Sequence, residues 1–70
     1  MITLTKFNRE TFTLNALYIE QVEETPDTLV TLLNGKKFLV REHAEEVNKK
    51  IKRFYREIQL LKEISKQNSD

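Results

Sequence analysis

The chain has 70 residues, of which 33% are charged and 39% hydrophobic, and its formal net charge is +1. A chain of this length forms one small domain that buries only about 60% of its unfolded surface. It contains no cysteine and one histidine, His43, which excludes disulfide bonds, thiolate metal sites and histidine clusters. Such a domain depends on a compact core or a partner chain for its stability.

The first part of the chain shows the two-residue period of β-strands. Residues 2–7 (ITLTKF) and 11–14 (TFTL) alternate apolar and polar side chains around a polar break, which predicts a hairpin. Residues 17–24 (LYIEQVEE) alternate imperfectly, and a β-bulge around Gln21 would explain the irregularity. The Pro26–Asp27 pair then suits a turn, because proline presets φ and aspartate tolerates turn conformations.

A second hairpin is predicted around Asn34 and Gly35, which lie between two apolar runs. Asn-Gly is the pair that most readily supplies positive φ at both centre positions of a two-residue type I′ turn. This turn would pair Leu33 with Lys36. The strands on either side carry apolar residues on both faces, so the sheet needs cover from a helix or from another subunit.

From residue 43 the apolar period changes to that of a helix. Apolar residues recur three and four positions apart, as in a heptad pattern: Ala44, Val47, Ile51, Phe54, Ile58 and Leu61. We therefore predict an α+β fold, with a curved antiparallel sheet of four to five strands over residues 2–41 and one long amphipathic helix over residues 43–64. Residues 1–64 form a single domain, and the polar residues 65–70 form a frayed tail.

The predicted helix is longer than the predicted sheet. It spans roughly 33 Å at about 1.5 Å per residue, whereas strands of this length span about 17–24 Å. Apolar side chains on the overhang need cover from a partner, so we predict a homo-oligomer. The candidate contacts are Phe54, Ile58, Leu61 and Ile64.

One face of the helix is basic. Four cations spaced three and four residues apart share this side, and we call them the basic face: Lys49, Lys52, Arg53 and Arg56. Three interpretations stay open: a solvated surface, a site for an acidic protein partner, or a site for nucleic-acid phosphates.

No arrangement of residues points to catalysis. The two serines lie in the polar tail, and a single histidine cannot complete a catalytic triad without a nearby acid. One glycine cannot form a phosphate-binding loop. We predict no enzymatic activity, no cofactor and no metal. The chain also lacks a signal peptide and any apolar run near the roughly 20 residues of a membrane span, so we expect a cytoplasmic protein without membrane insertion.

The motifs MITLT at the start, TPDT, NGKK and EEV further on resemble those of the FlbD/SwrD family of small flagellar proteins. The resemblance implies a non-enzymatic accessory protein that supports swarming by increasing flagellar motor power through the stator. Its partners would be motor or stator proteins, bound directly or indirectly, and one candidate location is the cytoplasmic face of the motor. The matching motif positions read as turn residues: Pro26, Asp27, Asn34, Gly35 and Lys36.

The sequence departs from the family pattern at two places. Arg9 follows Asn8 where relatives tend to have glycine, which predicts a looser or longer first hairpin. His43 and Ala44 stand where relatives often have serine, which leaves the helix without its usual N-terminal cap. The alternative function is a small regulator that binds nucleic acid through the basic face.

Overall fold

The computed structural model describes residues 1–68, with side chains for residues 1–63. It contains five strands and then one helix, so the predicted α+β fold is confirmed. The elements are β1 (Ile2–Thr5), β2 (Thr11–Leu14), a short 3-10 helix (Ala16–Tyr18), β3 (Ile19–Glu24), β4 (Thr28–Leu32), β5 (Lys37–Val40) and α1 (Ala44–Asn68).

The strands form two antiparallel sheets that meet at one corner. β1 pairs with β2, and the second sheet has the order β3-β4-β5. An isolated bridge joins Lys6 to Val40, and the Arg41 N–H donates a 2.8 Å hydrogen bond to the Thr5 carbonyl oxygen. These contacts connect the end of β1 to the end of β5, so the two hairpins form one curved layer.

The β4–β5 turn has three residues rather than two. The Gly35 N–H donates to the Leu32 carbonyl oxygen at 2.9 Å, and the Leu32 N–H donates to the Lys36 carbonyl oxygen at 2.8 Å. Gly35 has a φ of 88°, whereas Asn34 does not have a positive φ. This is a type I turn followed by a glycine bulge. The predicted type I′ turn, with Leu33 opposite Lys36, is therefore wrong by one residue in register.

The β1–β2 turn has the same geometry. The Arg9 N–H donates to the Lys6 carbonyl oxygen at 3.0 Å, and the Lys6 N–H donates to the Glu10 carbonyl oxygen at 2.8 Å. Arg9 has a φ of 73°, so it occupies the position that Gly35 occupies in the other turn. Asn8 and Asn34 also act alike, each accepting a 3.0 Å bond from the backbone N–H two residues later. The first hairpin is thus not longer than the second.

The third strand contains the predicted bulge. The register of β3 against β4 shifts between Ile19 and Gln21. The predicted turn at Pro26 and Asp27 connects these two strands, and the Thr25–Pro26 peptide bond is cis.

The hydrophobic core lies between the sheets and α1, which packs against β1 and β3. Val47 is the helix residue at its centre and is fully buried. Phe12 and Phe38 join the two hairpins, with ring centroids 5.1 Å apart. The buried apolar residues are Ile2, Leu4, Leu14, Ala16, Val30, Val40 and Val47.

The helix extends beyond the sheets, as the length comparison predicted. Its 25 residues span about 37 Å at 1.5 Å per residue, and the longest dimension of the molecule is 49 Å. Ile51 and Phe54 still pack against the core, but Leu61 is 65% exposed. The helix continues through Asn68 into the predicted tail, and residues 69–70 lie outside the described residues.

Candidate functional site

The start of α1 is capped by a residue from the sheet. Glu24, the last residue of β3, accepts a 2.6 Å hydrogen bond from the Ala44 N–H, and its other oxygen lies 3.3 Å from His43 Nδ1. The bond from the Ala44 N–H, followed by that from His43, lowers the pKa of Glu24 below its ordinary value. Glu24 therefore replaces the local cap that the sequence lacks.

A second carboxylate fixes the segment that precedes the helix. Glu42 accepts bonds from the Thr5 N–H at 3.0 Å and from the Thr5 hydroxyl at 2.9 Å. Desolvation by burial raises the pKa of Glu42, but the two bonds from Thr5, the residue's own backbone N–H and the charge of Lys50 together leave the pKa below its ordinary value. On the next turns of α1, Lys50 Nζ donates a 3.0 Å bond to the Thr3 carbonyl oxygen. The first half of α1 and the segment before it are thus anchored to both sheets.

The basic face lies on the opposite side of α1 from the buried Val47, and its four side chains are exposed. Among the described residues, its one ion pair joins Lys49 to Glu45 at 3.6 Å, with both side chains largely exposed. The structure thus brings the four predicted cations together on one solvent-facing surface.

Leu60 extends this surface and was missed by the sequence analysis. It follows Arg56 by four residues, so it lies on the basic face and away from the core side. Its side chain is 58% exposed. The signal in the sequence is a leucine that breaks the polar pattern on the solvent side of a helix.

The four candidate oligomer contacts have different surroundings. Phe54 packs against the protein's own core, Ile58 is half-buried and Leu61 is exposed. The side chain of Ile64 lies outside the described residues. Burial along this side of the helix therefore decreases toward the C-terminus.

The predicted turn residues do not form one site. Pro26 and Asp27 lie between β3 and β4, whereas Asn34, Gly35 and Lys36 lie in the β4–β5 turn at the other end of β4. All five are exposed. Their hydrogen bonds are those of the turns themselves.

A small apolar cleft lies beside the β4–β5 turn. Its volume is about 450 Å³, and Tyr18, Leu32, Leu33 and Asn34 line it. The Leu33 N–H donates a 2.8 Å bond to the Tyr18 carbonyl oxygen, which holds the two sides of the cleft together. Tyr18 is 59% exposed and Leu33 is 63% exposed. We call this feature the Tyr18 cleft.

The described part of the chain lacks a metal-binding cluster and a membrane-spanning helix. Its side chains include no group of three or more His, Cys, Asp or Glu residues able to hold a metal ion. Its one α-helix is not apolar enough over a sufficient length to cross a membrane.

Most of the chain matches a known protein family. Residues 1–59 match the FlbD family, described as flagellar and swarming motility proteins. The matched region covers all five strands and α1 as far as Gln59, so it includes the whole basic face but ends before Leu60. Searches of curated proteins and of solved structures found no match. Because the match covers most of its length, the chain belongs to the FlbD family of flagellar and swarming motility proteins.

Proposed function

We propose that this protein is a non-enzymatic accessory of flagellar motility that increases motor power through the stator. The observation that carries the proposal is the family match over residues 1–59. The shape of the molecule supports it, because α1 projects from an anchored base and presents its exposed basic face for contact with another protein.

The carboxylates with altered pKa values support a non-enzymatic role. Perturbed pKa values often mark catalytic groups, but structural hydrogen bonds produce them too. The pKa values of Glu24 and Glu42 are altered by structural hydrogen bonds, since each carboxylate accepts bonds that fix the start of α1 to the sheets. Neither carboxylate is needed for chemistry under this proposal.

The proposal includes a cytoplasmic location at the motor and self-association of the protein. Self-association is supported by the apolar side chains that the fold leaves uncovered on the projecting half of α1. Leu60 and Leu61 are both more than half exposed there. Burying such a side chain contributes about 1.5–3 kcal/mol, so a second copy that covered them would add stability to a small domain.

The test is deletion of the gene in a flagellated host, followed by complementation. We expect the deletion strain to swim in liquid with normal flagellar number but to swarm poorly on a surface, and its motors to produce less torque in a bead assay. Restoration by the wild-type gene and not by an empty vector is the control. Normal torque in the deletion strain would contradict the stator proposal, and normal swarming would contradict the motility role as well.

The second candidate function is binding of nucleic acid through the basic face, since its four cations are exposed and close together. Counterion release makes such binding fall steeply with salt. Titration of the protein with generic RNA and DNA at low and moderate NaCl tests it. Binding that falls steeply as NaCl rises and is lost on reversing the charges of Lys52 and Arg56 would favour the regulator.

A further inference from the structure

We propose that two copies of this chain bind each other by placing the basic face of α1 in one copy along the acidic edge of β3 in the other, with Leu60 in the Tyr18 cleft. The inference names a surface for the self-association in the proposed function. It does not depend on the flagellar role, so either can fail without the other.

The helix side of the contact is exposed and needs a partner of opposite charge. Residues 47–56 hold five basic residues and no acidic one. Within the described residues Lys52, Arg53 and Arg56 form no ion pair, while Lys49 has one weak, exposed pair with Glu45. Leu60 continues the same face as an exposed apolar side chain, and it makes no contribution to the core, which lies on the opposite side of α1.

The strand side of the contact has the complementary chemistry. In the described part of the chain β3 has only β4 as a neighbouring strand, so it is an edge of its sheet. Its side chains Glu20 and Glu23 are exposed, and the exposed Asp27 follows in the next turn. The Tyr18 cleft lies at the start of the strand. An acidic row therefore ends in an apolar cleft, as the basic face ends in a leucine.

The spacing of the two surfaces agrees. Lys49 to Leu60 spans eleven residues of helix, which is about 16 Å. From Tyr18, the last residue of the 3-10 helix, to Glu23 in β3 is five residues, which span up to about 16 Å of extended chain. With the helix antiparallel to the strand and Leu60 in the Tyr18 cleft, Arg56 lies beside Glu20.

Farther along the same alignment Lys49 lies level with Glu23, because both are about 16 Å from the cleft. Lys52 and Arg53 lie between Arg56 and Lys49, beside the stretch of strand from Glu20 to Glu23. Arg56 and Lys49 thus each meet a glutamate, and the other two cations lie between them. This is the pattern that suppresses wrong registers and favours one alignment.

A second copy explains these surfaces better than a nucleic acid does. The basic face is only about 10 Å long, and the molecule as a whole carries a net charge of +1. A phosphate backbone also offers no apolar contact for Leu60.

The experiment uses purified full-length protein and light scattering over a range of concentrations, at low and high NaCl. We expect self-association that weakens with salt, because the contact is largely electrostatic. The double variants K52E/R56E and E20K/E23K should each associate at least about tenfold more weakly, since like charges then face each other. L60S should weaken association by about tenfold through loss of an apolar contact.

The decisive sample is an equimolar mixture of K52E/R56E with E20K/E23K. Each variant then offers a surface that is complementary to the other, so the mixture should associate although each variant alone does not. In K52E/R56E the i,i+4 pair at positions 52 and 56 stays like-charged, with two negative charges in place of two positive ones. Circular dichroism checks that each variant is folded. The control is K37E/R41E, which makes the same change in net charge on exposed residues of the second sheet and the segment that follows it and should associate like the wild type.

Several results would overturn the inference. A wild-type protein that is monomeric at high micromolar concentration would do so, as would a mixture of folded variants that fails to associate. Dissociation by I58K/L61K while K52E/R56E associates normally would place the interface on the core side of α1 instead. Equal loss of association in K37E/R41E would show a general effect of net charge.

Discussion

The two β-turns provide a matched test of backbone strain, because they have the same hydrogen bonds but different residues at the position with positive φ. That position holds Gly35 with φ of 88° in one turn and Arg9 with φ of 73° in the other. A left-handed conformation costs a non-glycine residue roughly 1–2 kcal/mol. A glycine at this position also makes the unfolded chain more flexible, which offsets about 0.5–1 kcal/mol of the stability gained by relieving the backbone strain.

We therefore expect Arg9→Gly to stabilise the protein by about 0.5–1 kcal/mol. Gly35→Arg should destabilise it by a similar amount. A Cβ atom at Gly35 would meet no atom within 4 Å, so the cost there comes from the backbone and not from a clash. For a domain of this size, 1 kcal/mol corresponds to about 4–8 °C in melting temperature.

The double variant completes the test. Lys6 pairs with Val40 at the end of β5 that is far from Gly35, so the two turns lie at separate places and their effects should add. The R9G/G35R protein should melt close to the wild type, as measured by thermal unfolding with circular dichroism. If R9G melts lower than the wild type, the side chain of Arg9 contributes more than its backbone conformation costs, and the strain argument is refuted.

Three further predictions concern the anchoring of α1. Glu42→Gln weakens both bonds from Thr5 and should lower the free energy of unfolding by about 1 kcal/mol, a value that already allows for solvent screening. Urea unfolding measures this free energy. Glu24 and Glu42 both have folded-state pKa values below the ordinary 4.5, so their stabilisation is present above pH 4.5 and is lost as the pH falls through the folded values. Glu24→Gln should therefore melt lower than the wild type at neutral pH and lose less stability on acidification. An acid unfolding profile equal to that of the wild type would contradict the capping role of Glu24. At concentrations low enough to keep the protein monomeric, Val47→Ala should cost about 2 kcal/mol and Leu61→Ala less than about 0.5 kcal/mol in chemical denaturation, because only Val47 is buried within the fold. Equal costs under these conditions would show that Leu61 is covered within the fold.

The elements of the fold could be predicted from periodicity, but the register of the second hairpin could not. Asn-Gly fits a type I′ turn, and it also fits a type I turn followed by a glycine bulge. The structure has the second arrangement, in which Leu33 belongs to the loop and its N–H bonds to the Tyr18 carbonyl oxygen. That contact comes from another part of the chain, so the dipeptide alone does not determine it.

The cap of α1 could not be predicted from the sequence for a similar reason. Sequence rules look for a cap next to the first helical turn, and His43 and Ala44 do not supply one. In the structure the carboxylate of Glu24 caps the helix, although Glu24 is 20 residues from Ala44 in the sequence. It is brought to the helix by the pairing of β3 with β4 and of β4 with β5. A capping residue of this kind becomes visible only when the topology is known.

The heptad pattern of α1 shows why the surface was harder to predict than the fold. A spacing of three and four residues predicts which side of a helix is apolar, but it does not predict what covers the apolar side chains on each turn. Val47 is covered by the sheets and Leu61 is not, although both satisfy the same pattern. The covered part ends where the strands end, so the uncovered part is set by the difference between strand length and helix length. The self-association proposed for this protein draws on that difference, because the shorter sheet leaves Leu60 and Leu61 exposed on α1.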